Sequence, residues 1–255
     1  MKVVILAGGY GTRLSEYTDV IPKPMVDIGG KPILEHIMNI YSSSGHHDFY
    51  LALGYKSHVI KDYFYKYNIL NSDFQIDISS GSIKSYQNNS QSWKISLIHT
   101  GVDSMTGGRL LRLKDHLIEN TFLVTYGDAV ADLDINKVIQ FHKSHGKLVT
   151  VTAVRPPARF GEINIDKENR VVSFLEKPQI TQGWINGGFF VMEPRFFDYL
   201  EDDKTVLEKS PLENAAKDNQ LMAYQHNGFW QCMDTKRDKD NLECMIKDQK
   251  ANWLK

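Results

Sequence analysis

Residues Lys2-Val3-Val4-Ile5-Leu6-Ala7 lead straight into Gly8-Gly9-Tyr10-Gly11-Thr12-Arg13, and Pro22-Lys23-Pro24 follows shortly after. The β-branched apolar run predicts a buried strand, and the glycines at its end predict a tight turn with bare backbone. Without Cβ atoms in the way, N–H groups of such a turn can converge on an anion. Arg13 and Lys23 add two cations beside that cradle, one a planar fork and one a point charge. The arrangement suits a triphosphate; the alternative is a strand followed by an ordinary glycine turn. Spacing excludes two common phosphate loops. The P-loop pattern fails because Arg13 stands five residues after Gly8 and no Gly-Lys-Ser/Thr follows. The dinucleotide fingerprint begins at Gly9-Tyr10-Gly11 but ends on Leu14.

Outside this stretch, composition sets bounds. The chain has 255 residues, 42% hydrophobic and 24% charged, with a formal net charge of -1. That length allows one large domain or two small ones, and the near-neutral charge offers no global attraction to nucleic acid. Cys232 and Cys244 are the two cysteines, which supports neither a disulfide framework nor a cysteine-rich zinc site. The amino terminus lacks a signal-peptide pattern, and no apolar run approaches the ~18 residues of a membrane span. A soluble, cytoplasmic protein with no nucleic-acid or membrane partner is expected.

Strand and helix patterns then alternate. Strands are predicted at Asp48–Leu53, Ile95–Thr100, Phe122–Tyr126 and Leu148–Val154, with helices at Pro32–Tyr41, Ser57–Tyr67, Gly108–Leu117 and Ile135–His145. This predicts a mostly parallel sheet covered on both faces, with its ligand crevice at the carboxyl ends of the strands. Gly8–Arg13 and Gly127-Asp128 both follow predicted strands, so they are expected at one rim. After Pro156-Pro157 the pattern turns β-rich, with extended pieces at Ile163–Ile165, Val171–Leu175 and Gly188–Met192. We read 1–255 as one domain. Its parts are 1–155, an elaborated β-rich half at 156–235 that covers the site, and a C-terminal helix at 236–255. The polar segment Asn68–Ser92 reads as an excursion or a subunit contact.

Asp128 follows a strand and a glycine, where a carboxylate can face the crevice or form a turn. Asp234 is a second carboxylate, either a metal ligand or a cap for the final helix, predicted at Lys236–Lys250. Lys177, in Glu176-Lys177-Pro178, reads alone as an exposed loop lysine. Arg109 could decorate a first helical turn with Thr106 as its cap, and Asn186-Gly187-Gly188 could be an ordinary turn. His142 and His145 share a helical face and read as a solvated pair rather than a metal site. Tyr63, Phe64 and Tyr67 have helical spacing and read as core or subunit contact.

Taken in order, these pieces resemble the sugar-1-phosphate nucleotidyltransferases. The resemblance is carried by Leu6-Ala7-Gly8-Gly9-Tyr10-Gly11-Thr12-Arg13-Leu14 with Pro22-Lys23-Pro24-Met25, Tyr126-Gly127-Asp128, Glu176-Lys177-Pro178, Asn186-Gly187-Gly188-Phe189-Phe190 and Trp230-Gln231-Cys232-Met233-Asp234-Thr235. Ser104-Met105-Thr106-Gly107-Gly108-Arg109-Leu110 and Ala131-Asp132-Leu133-Asp134 most resemble its glucose-1-phosphate cytidylyltransferase branch. The resemblance covers essentially the whole chain. It implies a three-layer, Rossmann-like α/β fold with a mostly parallel mixed sheet and a β-rich C-terminal elaboration. It also implies Mg²⁺ and transfer of CMP from CTP to α-D-glucose 1-phosphate, giving CDP-glucose and pyrophosphate.

By the same resemblance, 1–155 would be mainly the nucleotide-binding half and 156–235 mainly the sugar-phosphate-binding half, and Leu6 through Arg13, Lys23 and Gly127 would hold the nucleotide. Ser104, Thr106, Gly107, Gly108 and Arg109 would border its base and ribose. Glu176, Lys177, Asn186, Gly187 and Trp230 would hold the sugar phosphate. Asp128 and Asp234 would be the metal ligands, and Arg13, Lys23 and Asp128 the catalytic set. Family members assemble into homo-oligomers, so a homo-oligomer, trimer or hexamer, is expected. Two departures stand out: Ala129 where the branch has glycine, and Cys232 where it has proline, which could loosen the loop carrying Asp234.

The implied reaction needs no general base, because a phosphate monoester is already anionic at neutral pH. The difficulty is bringing two polyanions together. A pair of unit charges at ~4 Å interacts by roughly 4 kcal/mol at an effective dielectric near 20. Fixed cations must offset that repulsion. For the base, Arg109 is expected to donate to cytosine acceptors.

Overall fold

The computed structural model describes residues 1–88, 91–156, 162–165, 170–175 and 183–254. Seven strands form the central sheet: β1 (Lys2–Ala7), β2 (Asp48–Leu53), β3 (Lys94–His99), β4 (Phe122–Tyr126), β5 (Val149–Val154), β6 (Ile185–Met192) and β7 (Leu221–His226). Their spatial order is β7-β5-β6-β4-β1-β2-β3. Strand β1 lies parallel to β2 and β4, with Ala7 opposite Leu53 and Leu6 opposite Tyr126. β6 runs antiparallel to both β4 and β5, while β5 and β7 are parallel. Six strands therefore share a direction and β6 opposes them, which is the mostly parallel mixed sheet expected.

Burial on both faces explains the unbroken apolar runs of β1, β2 and β4. On one face Val3, Ile5, Phe49 and Leu51 pack against the helix Ile33–Ser43 (α1) and the chain around Trp253. On the other, Val4, Leu6, Tyr50 and Val124 pack against Leu110, Leu113 and Phe196. The three-layer arrangement follows. Helix α2 (Ser57–Leu70) places Tyr63, Phe64 and Tyr67 against the first core, Tyr67 meeting Trp93 at 5.7 Å between ring centroids.

Several boundaries differ from the sequence reading for visible reasons. The helix expected over Gly108–Leu117 divides into α3 (Thr106–Leu111) and a single turn at Lys114–Leu117. It begins early because Gly107 and Gly108 let it settle directly on Thr205 and Asp203. Met105 is its N-cap, so Thr106 is not the cap. Within Asn68–Ser92 a β-hairpin pairs Ser72–Asp77 with Ser82–Asn88. Two further helices matter below, α4 (Ile135–His145) and α5 (Ser210–Lys217).

His142 and His145, expected to be solvated, lie against the sheet. His142 is 2% exposed, bonded to Thr150 Oγ1 at 2.8 Å and to Glu193 Oε1 at 3.1 Å. Among the described residues no group of three or more His, Cys, Asp or Glu is placed to hold a metal ion. No helix among them is long and apolar enough to cross a membrane.

Candidate active site

The carboxyl ends of β1 and β4 open on a cavity of about 590 Å³. The loop from Gly8 to Arg13 forms one side of it, with Leu6, Ala7, Gly9, Tyr10, Thr12 and Lys23. Ser104, Thr106 and Arg109 form another, and Gly127 with Asp128 the floor at the end of β4. The rim predicted from strand ends is therefore one continuous surface.

Gly11 takes a left-handed conformation, φ 67°, and a Cβ there would come within 2.9 Å of Thr18 and 3.1 Å of Lys23. Glycine meets both demands at once. The turn is fastened by Leu14 N–H donating to Gly11 O at 3.0 Å and Thr18 Oγ1 donating to the same carbonyl at 3.1 Å. Tyr10 lies 5.0 Å from Tyr55 between ring centroids and donates its hydroxyl to Asp103 at 2.8 Å.

Two remote carboxylates converge on one ammonium. Lys23 Nζ donates to Asp128 Oδ2 at 2.7 Å and to Asp234 Oδ1 at 2.6 Å, and Arg13 Nη1 donates to Asp234 Oδ2 at 2.7 Å. Burial works against the charge on Lys23, but Asp128 and Asp234 outweigh it and hold the ammonium above the ordinary lysine range. The Arg13 side chain is 72% exposed and that of Lys23 11%, so one cation reaches from solvent while the other is built in.

A short antiparallel ladder brings the aspartates together. Ala129–Ala131 pairs with Trp230–Cys232, Cys232 lying opposite Ala129, and Met233 N–H donates to Asp128 O at 2.8 Å. The two departures from the branch pattern are thus cross-strand partners. Cys232 is held in a strand, so the loop it leads into is anchored rather than loosened. Burial, then Asp234 and Asp128 nearby, pushes its thiol up to about 12. The final helix (α6, Lys236–Lys247) is capped by Thr235 and Asp238 in a reciprocal capping box, so Asp234 is not its cap.

Arg109 lines the cavity with Ser104 and Thr106, as expected, and spends its guanidinium on protein acceptors. It is buried beneath the loop, and Nη1 donates to Gly101 O at 2.6 Å and Thr100 Oγ1 at 3.1 Å. Nη2 donates to Gly8 O at 2.9 Å and Val102 O at 3.0 Å. Both terminal nitrogens hold the cavity wall. Trp230, expected at the sugar, is 8% exposed and packed in the core, its indole N–H bonded to Gly187 O at 2.8 Å. It supports the wall from behind because the ladder with Ala131 turns it inward. Gly107 and Gly108 are buried in the contact with Thr205 and Asp203 and line nothing.

Asn186 and Gly187 sit at the start of β6, Asn186 donating to the Tyr126 hydroxyl at 3.3 Å. Glu176 and Lys177 lie outside the described residues. Sequence reasoning missed Tyr126, Asp103, Lys204 and Glu208 as parts of the site. Tyr126 ends a predicted strand and carried a signal; the other three stand in no motif.

The carboxyl rim of the sheet thus gathers a glycine loop, two cations and two converging carboxylates around one cavity. Residues 2–238 match the nucleotidyl transferase family, and the chain belongs to it. The glucose-1-phosphate cytidylyltransferase of Salmonella typhimurium is 50% identical over 254 residues, spanning 99% of this chain and 98% of that protein. The mannose-1-phosphate guanylyltransferase catalytic subunit beta of Xenopus tropicalis is 31% identical over 266 residues, spanning 100% of this chain and 68% of its own. Among solved structures, HddC from Yersinia pseudotuberculosis, complexed with GMP-PN, superposes with a TM-score of 0.69 at 26% identity, spanning 96% of this chain and 99% of that one.

Proposed function

We propose that this chain transfers CMP from CTP to α-D-glucose 1-phosphate, releasing pyrophosphate. Full-length similarity at 50% identity to a relative named for that activity supports the reading. The observation that carries it is the convergence of Asp128 and Asp234 on Lys23, with Arg13 alongside. We propose one catalytic unit in which 1–155 serves mainly the nucleotide and 156–235 mainly the sugar phosphate.

The donor set suits Mg²⁺. Two hard carboxylates reach one point, and magnesium takes few protein oxygens, completing its shell from phosphates and water. Asp128 and Asp234 would hold it, and when bound it supplies charge neutralisation at the phosphates. The remaining chemistry belongs to the chain. Lys23 and Arg13 offset the repulsion between the sugar phosphate and the α-phosphate, so an already anionic oxygen can approach in line. In this reading Lys177 grips the sugar phosphate, and Arg109 acts by holding the nucleotide wall.

A homo-oligomer is the assembly we propose, with the hairpin Ser72–Asn88 as contact. Ile76 and Ile83 pair across its strands yet are 49% and 56% exposed, and Phe74 and Ile78 join them at the surface. An apolar face of this kind on a two-stranded ribbon favours a second copy.

The test of the reaction is pyrophosphate release with glucose 1-phosphate across four nucleoside triphosphates. CTP is expected to lead by at least about tenfold in kcat/KM, the scale of leaving buried polar groups mismatched. Equal use of UTP or dTTP would remove the base assignment and leave the nucleotidyltransferase reading standing.

A further inference from the structure

Glu208 stands just before α5, belongs to no motif, and is exposed at the rim of the site. Both of its carboxylate oxygens are nevertheless engaged. The Tyr126 hydroxyl donates to Oε1, and the Thr106 hydroxyl donates to Oε2 at 2.7 Å. Tyr126 ends β4 one residue before Gly127-Asp128, while Thr106 opens α3 on another wall of the cavity.

The chain of bonds continues at each end. Asn186 Nδ2 donates to the Tyr126 hydroxyl at 3.3 Å, and Gly188 N–H donates to Asn186 Oδ1 at 2.8 Å. Leu207 N–H donates to Thr106 Oγ1 at 2.9 Å. Every proton direction is thereby fixed. A carboxylate accepts only, so both hydroxyls must spend their protons on it and present lone pairs elsewhere. One side chain thus sets the orientation of polar groups on two separate walls.

We propose that Glu208 is a positioning residue that couples the wall of Tyr126 and Asn186 to the wall of Thr106, so that one rim carboxylate governs binding of both substrates. The assignment of the first wall to the sugar phosphate and the second to the nucleotide rests on the function proposed above.

Glu208→Gln is the informative change. An amide keeps one acceptor oxygen and loses the charge, so one of the two hydroxyls must turn round and the other bond loses its charge assistance. In the pyrophosphate-release assay, KM for both substrates is expected to rise roughly tenfold, the scale of a lost charge-assisted hydrogen bond. Tyr126→Phe should raise KM for the sugar phosphate alone, and Thr106→Val KM for the nucleotide alone. Adding Glu208→Gln to Tyr126→Phe should raise the sugar-phosphate KM no further. Glu213→Gln, on the first turn of α5, is the control and should change neither.

A rise in KM for one substrate only, no rise, or multiplicative effects in the double variant would overturn the proposal. A readout independent of turnover separates this from failure of the substrate assignment. With ¹³Cζ-labelled tyrosine, the Tyr126 resonance, assigned by its loss in Tyr126→Phe, should shift in Glu208→Gln at fixed pH. An unmoved resonance overturns the contact itself, whatever substrates the enzyme uses.

Discussion

Arg109 occupies the space where a side chain on Gly8 would stand, and its Nη2 donates to the Gly8 carbonyl at 2.9 Å. The guanidinium also lies where a Cβ on Gly54 would fall, so two strand-end glycines receive one buried cation between them. The first glycine of the loop is therefore required by a protein side chain as well as by any ligand. Gly8→Ala is expected to cost about 1–3 kcal/mol of stability through overpacking. Nucleotide KM should rise with it. Because Arg109 is the clashing partner, Gly8→Ala combined with Arg109→Ala should be less destabilised than the two single losses added together. Urea denaturation of the four proteins measures this, and strict additivity would contradict the contact.

Asp128→Asn and Asp234→Asn each remove one of the carboxylates that meet at Lys23. Turnover is expected to fall about 10²–10³-fold in each, the usual scale for a lost electrostatic contact at a reacting phosphate or carbonyl. Asp234→Asn should also destabilise the fold by about 3–5 kcal/mol, since it removes a carboxylate from a buried ion pair. Steady-state kinetics at saturating magnesium, with urea denaturation alongside, separates the two effects. Normal turnover in either variant would falsify the proposed role.

Stability should fall on mild acidification because of His36. Its Nε2–H donates to Ile28 O at 2.8 Å, and its Nδ1 accepts from the Trp253 indole at 3.4 Å, so a second ring proton would face an N–H group. Burial holds its pKa below the ordinary histidine value. Below about pH 6.5 the unfolded chain therefore takes up a proton that the folded chain resists. Stability is complete above that pH and declines beneath it. His46, also lowered by burial and by the nearby N-terminal ammonium, contributes with the same sign. Urea midpoints at about pH 5.5 and 7.5 should differ in the wild type and differ less in His36→Gln. Equal wild-type midpoints would rule the effect out.

The apolar hairpin face gives a hydrodynamic prediction. Ile76→Glu places a charge opposite Ile83 on that surface. Sedimentation velocity should show a smaller assembly than the wild type at equal concentration, with far-ultraviolet circular dichroism unchanged. An unaltered sedimentation coefficient would locate the subunit contact elsewhere.

The strands Asp48–Leu53 and Phe122–Tyr126 and the helix Ile135–His145 could be read residue for residue. Each is a strongly patterned run bounded by a glycine, a turn or an aspartate cap. The hairpin Ser72–Asn88 could not, because its alternating Phe74, Ile76 and Ile78 are diluted by polar residues and stay exposed. At the site, strand-end carboxylates were legible because a strand followed by glycine and aspartate points to a rim. The bonding of Arg109 and the inward turn of Trp230 were hidden for one reason: sequence shows a polar or aromatic group but not which way a buried one turns. Glu208 was invisible, since its hydroxyl partners stand 82 and 102 residues away.

Lys23 and Asp234 are separated by 211 residues, yet their side chains meet at 2.6 Å. A ribosome therefore delivers the ammonium long before its second carboxylate. Until the ladder carrying Asp234 docks, the emerging polypeptide can display a glycine loop and a lysine but no complete centre. Assembly of the proposed centre therefore waits on Asp234, and a product cut short before that residue would lack half of its carboxylates.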